Sequence, residues 1–139
     1  MALTEDRKGG GIWFTPSIPW LQMASVYFET SNNKIYHLES YEHNADFGII
    51  IKEVDSIKPW EPDDCTILRN ANLPICKISS VEFSIDELAG IIEGFLFVID
   101  HNKITMRSGE IYEQNDSTLK LLWHDESIMM QVNDKHPNT

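Results

Sequence analysis

Two similar β-hairpin patterns, 69 residues apart, constrain the fold of this chain more than any other feature of its sequence. The first reads VYFETSNNKIYH over residues 26–37, and the second reads FLFVIDHNKITM over residues 95–106. In each, two runs of β-prone residues flank a polar turn, and Asn-Lys-Ile follows the turn. Hairpins of this kind build antiparallel sheets, so the pattern predicts a β-rich domain.

Aligning the two turns predicts which side chains share a face, because strand side chains alternate. In the second hairpin this face carries Phe95, Phe97, Ile99, Ile104 and Met106. The same offset in the first hairpin selects Val26, Phe28, Thr30, Ile35 and His37. The correspondence raises an internal duplication as a hypothesis, but unrelated hairpins converge on such patterns, and the question stays open.

One helix is predicted, at about residues 85–93. Ser84 to Glu87 matches a capping box, and Gly94 is placed to end the helix. Apolar residues recur inside it at helical spacing: Ile85, Leu88, Ala89 and Ile92. In this interpretation Asp86 and Glu87 are acids favoured by the positive end of the helix dipole.

The predicted fold is therefore a β-rich α+β domain, an antiparallel meander curved into a barrel or sandwich with the helix packed across it. Further strands are expected at 47–54, 65–69, 75–83, 111–113, 119–123 and 128–132. Residues 12–132 are predicted to form a single globular domain, since 139 residues fit one domain. A flexible arm is expected over 1–11 and a frayed tail over 133–139.

The net charge of −11 restricts the partners that such a domain can bind. Residues 36–64 alone hold eight acids and two lysines. Such a surface repels phosphate backbones and anionic lipids and favours basic proteins, so no direct nucleic-acid or membrane binding is expected. The alternative is that the acidity serves solubility alone.

The sequence indicates a cytoplasmic protein. Its first residues lack the pattern of a secretory signal, and no run approaches the ~20 apolar residues that a membrane helix needs. In a reducing compartment Cys65 and Cys76 are expected to be small buried hydrophobes rather than a disulfide.

No motif of a catalytic nucleophile or a phosphate-binding loop is present, so an enzyme is disfavoured and no cofactor is predicted. A weak metal hypothesis rests on His37 and Glu39, which share a strand face, and on His43 nearby. With a distant histidine, His101 or His124, they could form a two-histidine, one-carboxylate site. The alternative is that His37 lies at the core edge and bonds backbone or water.

The acidic loop at 58–64 is the predicted partner-binding site. Trp60 offers a rigid anchor between two prolines, and three acids suit lysine or arginine on a partner. The predicted contact set is Trp60, Glu61, Asp63, Asp64, Asp55 and Glu53. The alternative is that Trp60 folds back over a sheet edge, with the acids solvated.

These features predict a stoichiometric binding protein, monomeric or homodimeric, that occludes the surface of a basic partner. An immunity protein that neutralises a nuclease-like toxin fits the size and charge, and a basic nucleic-acid-binding protein would be an equivalent target. The alternative is a small-molecule-binding barrel or small enzyme with an aromatic-lined pocket that contains His37 or His101.

Overall fold

The protein is a curved antiparallel β-sheet in the computed structural model, which describes residues 2–8, 11–12, 18–30, 32–57, 66–70, 78–99 and 101–135. The described strands are β1 (Ala2–Lys8), β2 (Gly11–Ile12), β3 (Leu21–Glu29), β4 (Ile35–His43), β5 (Asp46–Val54), β6 (Thr66–Asn70), β7 (Ile78–Asp86), β8 (Ile91–Ile99), β9 (Asn102–Glu113), β10 (Leu119–Trp123) and β11 (Ser127–Val132). All their pairings are antiparallel, and the sheet does not close into a barrel. No helix occurs in these ranges.

The main path of the sheet runs β2-β1-β3-β11-β9-β8-β7, and it forks at β3. Met23 lies between Glu5 of β1 and Ile128 of β11, whereas Tyr27 lies between Ala2 of β1 and His37 of β4. Strands β11 and β4 therefore share one edge of β3 and diverge from it.

After this fork, the β4–β5 hairpin lies against β8 and β9. The Tyr41 hydroxyl accepts a 2.9 Å hydrogen bond from the backbone N–H of Ile92. The Ser108 hydroxyl donates a 2.7 Å bond to the carbonyl of Phe47. The first contact joins β4 to β8 and the second joins β5 to β9, so the sheet curls over its own core.

Strand β11 lies at the centre of the packing and is buried from Ser127 to Gln131. Alternation sends Ile128 and Met130 to the main core and Met129 to a second cluster on the other face. The buried main core comprises Leu21, Met23, Val26, Leu38, Ile49, Phe97, Ile104, Met106, Ile128 and Met130. The second cluster comprises Ile18, Ile111 and Met129, with Trp20, Leu119, Leu121 and Trp123 packed against it.

The helix predicted over 85–93 is wrong, because these residues form the end of β7, a turn and the start of β8. A different residue from the predicted Ser84–Glu87 capping pair stabilises the turn: Asp86 Oδ1 accepts from Ala89 N at 3.0 Å, and the Asp86 carbonyl accepts from Gly90 N at 2.9 Å. Gly90 then adopts a φ of +69°, which ends the turn. The β-branched residues Ile91 and Ile92 follow Gly90 and favour a strand.

The two hairpins are confirmed as β3–β4 and β8–β9, but their registers differ. Phe97 faces Ile104 across a two-residue turn, as predicted. Val26 faces Leu38 across a longer turn, so Ile35 and His37 lie on the opposite face from Val26 and Phe28. The predicted common face is therefore wrong for the first hairpin.

The predicted terminal segments are described in part. Within the predicted arm 1–11, Ala2–Lys8 forms β1, which pairs with both β3 and β6. After β11, Val132 forms a single antiparallel bridge with Lys135. The predicted strands at 47–54, 119–123 and 128–132 correspond to β5, β10 and β11, and the strand predicted at 111–113 is the end of the longer β9.

Candidate functional site

Strand β7 ends the main path of the sheet, and β8 is its only partner among the described strands. It carries three alternate apolar side chains that are half exposed: Val81 (49%), Phe83 (59%) and Ile85 (54%). We call these three side chains the β7 edge. An outer strand with unpaired backbone groups and apolar side chains is a surface that other chains can pair with.

The β7 edge extends the apolar face of the buried core onto the exposed outer strand of the sheet. Val81 lies opposite Phe97, and Phe83 lies opposite Phe95. The Phe83 and Phe95 ring centroids are 6.5 Å apart, and those of Phe95 and Phe97 are 6.1 Å apart. An apolar row thus runs from the buried Phe97 outward to the exposed Phe83.

The charged residues of β7, of the turn that follows it and of the start of β8 are all acidic. Residues 78–93 contain no lysine or arginine and four acids: Glu82, Asp86, Glu87 and Glu93. Leu88, at the tip of the β7–β8 turn, is fully exposed. The edge is therefore an apolar strip within a negative surface.

A group of titratable side chains lies where β7 ends. His124 Nε2 is 3.0 Å from Glu93 Oε2 and 3.7 Å from Asp86 Oδ2. We call Asp86, Glu93 and His124 the acid–histidine cluster. Its three side chains come from the end of β7, from β8 and from the β10–β11 turn, so the tertiary fold brings them together.

The backbone holds His124 firmly in place. Its φ of +59° lies in the left-handed region, which is uncommon for a residue with a β-carbon. Its N–H donates to the Ser108 carbonyl at 2.9 Å, and its carbonyl accepts from Phe47 N at 3.1 Å. Backbone strain of this kind persists where surrounding contacts impose it, often at functional positions.

A cation borders the cluster. Arg107 Nη2 is 3.9 Å from Glu93 Oε2, which exceeds hydrogen-bond distance. The guanidinium carbon lies 4.0 Å from the centroid of a Trp123 ring, a cation–π arrangement. Trp123 in turn packs edge-to-face against Trp20, with centroids 4.9 Å apart. The aromatic contact, rather than the carboxylate, orients Arg107.

No metal site was predicted from the sequence, and its candidate ligands, His37, Glu39 and His43, do not come together in the structure. His37 Nδ1 is 3.7 Å from Glu39 Oε2, but Glu39 also forms an ion pair with Lys52. The His37 ring stacks on Tyr27 with centroids 4.2 Å apart, and burial lowers its pKa. His43 lies six residues from His37 along β4, about 20 Å away at the rise of a strand.

Of the two distant histidines, His101 is exposed in the β8–β9 turn and His124 belongs to the acid–histidine cluster. In the described ranges, this cluster is the one group of three or more potential metal ligands. Sequence analysis gave His124 as a candidate ligand but did not identify Asp86 and Glu93 as its neighbours. Asp86 had been assigned to a helix that does not form.

The predicted partner-binding loop is described only at its start. Glu53 is exposed in β5, and Asp55 is exposed in the bend that follows. Trp60, Glu61, Asp63 and Asp64 lie outside the described residues, as do Cys65 and Cys76. The structure adds the β7 edge, which sequence reasoning missed because Ile85 was taken as part of a helix.

Within the described ranges, no helix has the length and hydropathy needed to cross a membrane. Comparisons with protein-family models, with curated proteins and with solved structures find no match for this chain.

Proposed function

We propose that this chain is a stoichiometric binding protein that pairs its β7 edge with an extended, basic segment of a partner protein and so occludes the partner's surface. The observation that carries the proposal is the half-exposed apolar row of β7 within residues 78–93, whose charged side chains are all acidic. A basic, nuclease-like protein is the partner class that we propose, and inhibition is the expected consequence of binding.

Strand addition fits the chemistry of this edge. A partner strand that pairs with β7 gains main-chain hydrogen bonds, while alternate side chains supply specificity. Full burial of a valine, phenylalanine or isoleucine is worth about 1.5–3 kcal/mol, so covering the exposed half of each side chain contributes about 1 kcal/mol. Three such contacts, about 3 kcal/mol together, and a new hydrogen-bond ladder supply part of the binding free energy and offset part of the freedom lost on association.

The charges favour a basic partner over a second copy of this chain. Antiparallel self-pairing centred on Glu82 sets two Glu82 carboxylates opposite each other, and self-pairing centred on Ser84 sets Glu82 opposite Asp86, whereas the register centred on Phe83 sets Glu82 opposite Ser84. Like charges directly opposite each other are destabilising in a sheet. A partner strand with lysine or arginine in these positions would form favourable cross-strand pairs with the acids of β7. Its positive charge would also speed the encounter of the two proteins.

The acidic loop at 58–64 stays a second proposed contact. The alternative of an aromatic-lined pocket gains no support from the depression beside the β9–β10 turn, because Gln114, Asn115 and Asp116 line it. Packed side chains fill the interior between the central strands, where Met23, Leu38 and Met106 are fully buried.

The test is capture of partners from a lysate of the source cells by tagged protein at low and moderate salt, with matched variants. The apolar test variant is Val81→Ser/Phe83→Ser, and its control is Ile57→Ser/Leu122→Ser, which removes other exposed apolar side chains. The charge variant is Glu82→Lys/Glu87→Lys, and its control is Glu113→Lys/Glu126→Lys. Both charge variants carry a net charge of −7, which is −11 plus 4.

The proposal predicts one basic, near-stoichiometric protein that both control variants retain and that both test variants lose at least tenfold. Its retention should also fall with salt, since exposed charges are screened. Hydrogen exchange on the complex should show new protection of β7 amides. Equal retention by test and control variants, an unprotected β7, or a blank capture would each contradict the proposal. Glu61→Lys/Asp63→Lys/Asp64→Lys tests the loop separately.

A further inference from the structure

We infer that the acid–histidine cluster is a binding site for a first-row divalent cation, such as Mn²⁺ or Zn²⁺. This inference goes beyond the proposed function and does not depend on it. One imidazole nitrogen and two carboxylate oxygens are a ligand set suited to these ions, which bind imidazole and carboxylate together. The three ligand atoms lie within 4.8 Å of one another.

The two separations from His124 are close to those of ligands around a single ion. Bonds of about 2.0–2.2 Å at angles of roughly 90–110° place neighbouring ligand atoms about 3.0–3.5 Å apart. His124 Nε2 lies 3.0 Å from Glu93 Oε2 and 3.7 Å from Asp86 Oδ2. A bound cation would take the place of the His124–Glu93 hydrogen bond and draw in the two carboxylate oxygens, which lie within 4.8 Å of each other.

Surrounding groups already orient the proposed ligands. Asp86 Oδ1 accepts a hydrogen bond from Ala89 N, which leaves Oδ2 directed at His124. The backbone of His124 is fixed by Ser108 and Phe47. When neighbouring groups hold the ligands in position before the ion arrives, less conformational freedom is lost on binding. Such orientation therefore raises metal affinity.

The site is open enough for water to complete the coordination. The side chains of Asp86, Glu93 and His124 retain 29%, 25% and 24% of their exposure. Such partial burial also strengthens the attraction between an ion and two carboxylates relative to a fully exposed pair.

Arg107 gives the inference a distinctive consequence. Its guanidinium lies near Glu93 without a hydrogen bond to it, so it repels an incoming cation without blocking the ligand oxygen. Removing this charge should tighten metal binding, whereas a group without metal affinity would give no such gain. Arg107→Gln should therefore increase the affinity of the site for the metal ion.

The experiment is a titration of the ¹⁵N-labelled protein with MnCl₂, combined with calorimetry at pH 7. Mn²⁺ is chosen because thiolates, such as those of Cys65 and Cys76, are poor ligands for it. We expect one ion per chain, with paramagnetic broadening centred on the amides of Leu88, Glu93 and His124. Zn²⁺, the tighter-binding ion in the usual affinity order, should reverse the broadening by displacement.

Matched variants separate a metal site from general charge. Glu93→Gln keeps the shape of the side chain and a hydrogen-bonding group, and it should weaken Mn²⁺ binding at least tenfold, as should His124→Ala. His101→Gln and Glu113→Gln should leave affinity unchanged, and Arg107→Gln should raise it severalfold. Circular dichroism of each variant reports its folding. Broadening elsewhere, affinity that survives Glu93→Gln, or no binding at millimolar Mn²⁺ would overturn the inference.

Discussion

The side-chain oxygen of Gln22 accepts a 2.6 Å hydrogen bond from the backbone N–H of Ile111. Strand β11 separates β3 from β9, but its pairing with β9 covers only residues 104–109. Ile111 lies just beyond that ladder, and Gln22, itself buried, supplies the acceptor that a strand would otherwise provide. One side chain thereby completes the sheet where a strand is too short.

Gln22→Leu should reduce the free energy of unfolding by about 1–3 kcal/mol, because it leaves the buried N–H of Ile111 without an acceptor. Urea denaturation monitored by tryptophan fluorescence measures the change. The control, Gln114→Leu in the exposed β9–β10 turn, should cost less than about 0.5 kcal/mol. Equal effects of the two substitutions would show that the Gln22 hydrogen bond contributes nothing.

Gly94→Ala should destabilise the sheet by about 1–3 kcal/mol through overpacking. A β-carbon at Gly94 would overlap the Met106 carbonyl oxygen and lie 2.9 Å from Arg107 Cγ. Neither a backbone carbonyl nor the start of a side chain can move aside cheaply. Ser84→Ala is the control on the same rung of the β7–β8 ladder, and its melting temperature should stay within a degree or two of wild type. An unchanged melting temperature for Gly94→Ala would contradict the close approach of β8 and β9.

His37 should make stability depend on pH near neutrality. Burial lowers the pKa of His37 in the folded chain below its usual 6.5, which outweighs the opposing attraction of Glu39. The unfolded chain therefore binds a proton more readily, and stability falls as pH drops through about 6.5. Unfolding measured from pH 7.5 to 5.5 should have a smaller pH slope in His37→Gln than in wild type. The control is His101→Gln. It retains His37, so the contribution of His37 to the pH slope should be the same as in wild type.

Glu82→Val should make the protein self-associate. The substitution removes the central charge of an exposed outer strand and leaves a more apolar β7, and natural proteins use such charges to prevent edge-to-edge pairing. Sedimentation velocity across a range of concentrations should detect dimers or larger species in Glu82→Val. Glu113→Val, exposed at the end of β9, should stay in the wild-type state. A strictly wild-type profile for Glu82→Val would remove the argument that Glu82 disfavours self-pairing.

The parts of the fold predicted from the sequence are those that local residues determine. The β8–β9 hairpin was predicted to its register, because its two-residue turn sets Ile99 opposite Asn102 and therefore Phe97 opposite Ile104. The first hairpin was assigned the wrong face, because its turn is longer and shifts the partner of Val26 to Leu38.

The helix prediction failed because two periodicities overlap in residues 85–93. Ile85, Leu88 and Ile92 suit a helical stripe, but Ile85 also continues the alternation of Val81 and Phe83 along β7. Pairing with β8 decides in favour of the strand, since it adds a ladder of hydrogen bonds that an isolated helix of nine residues cannot offset.

The acid–histidine cluster was beyond sequence reasoning for a different reason. Glu93 and His124 are 31 residues apart and meet only because the β10–β11 turn packs beside β8. Neither the spacing nor the neighbours of His124 indicate this contact, so a folded structure is needed to find it.

The central position of β11 also determines when the molecule can form during synthesis. β11 follows all the other described strands in the chain, yet it lies between β3 and β9. Until Ser127–Val132 has left the ribosome, no described strand can pair with both β3 and β9, and only the contacts of the β4–β5 hairpin with β8 and β9 join the two sides of the sheet. The two ladders of β11 are therefore long-range pairings that form only once this strand is available, and pairings of this kind fold slowly.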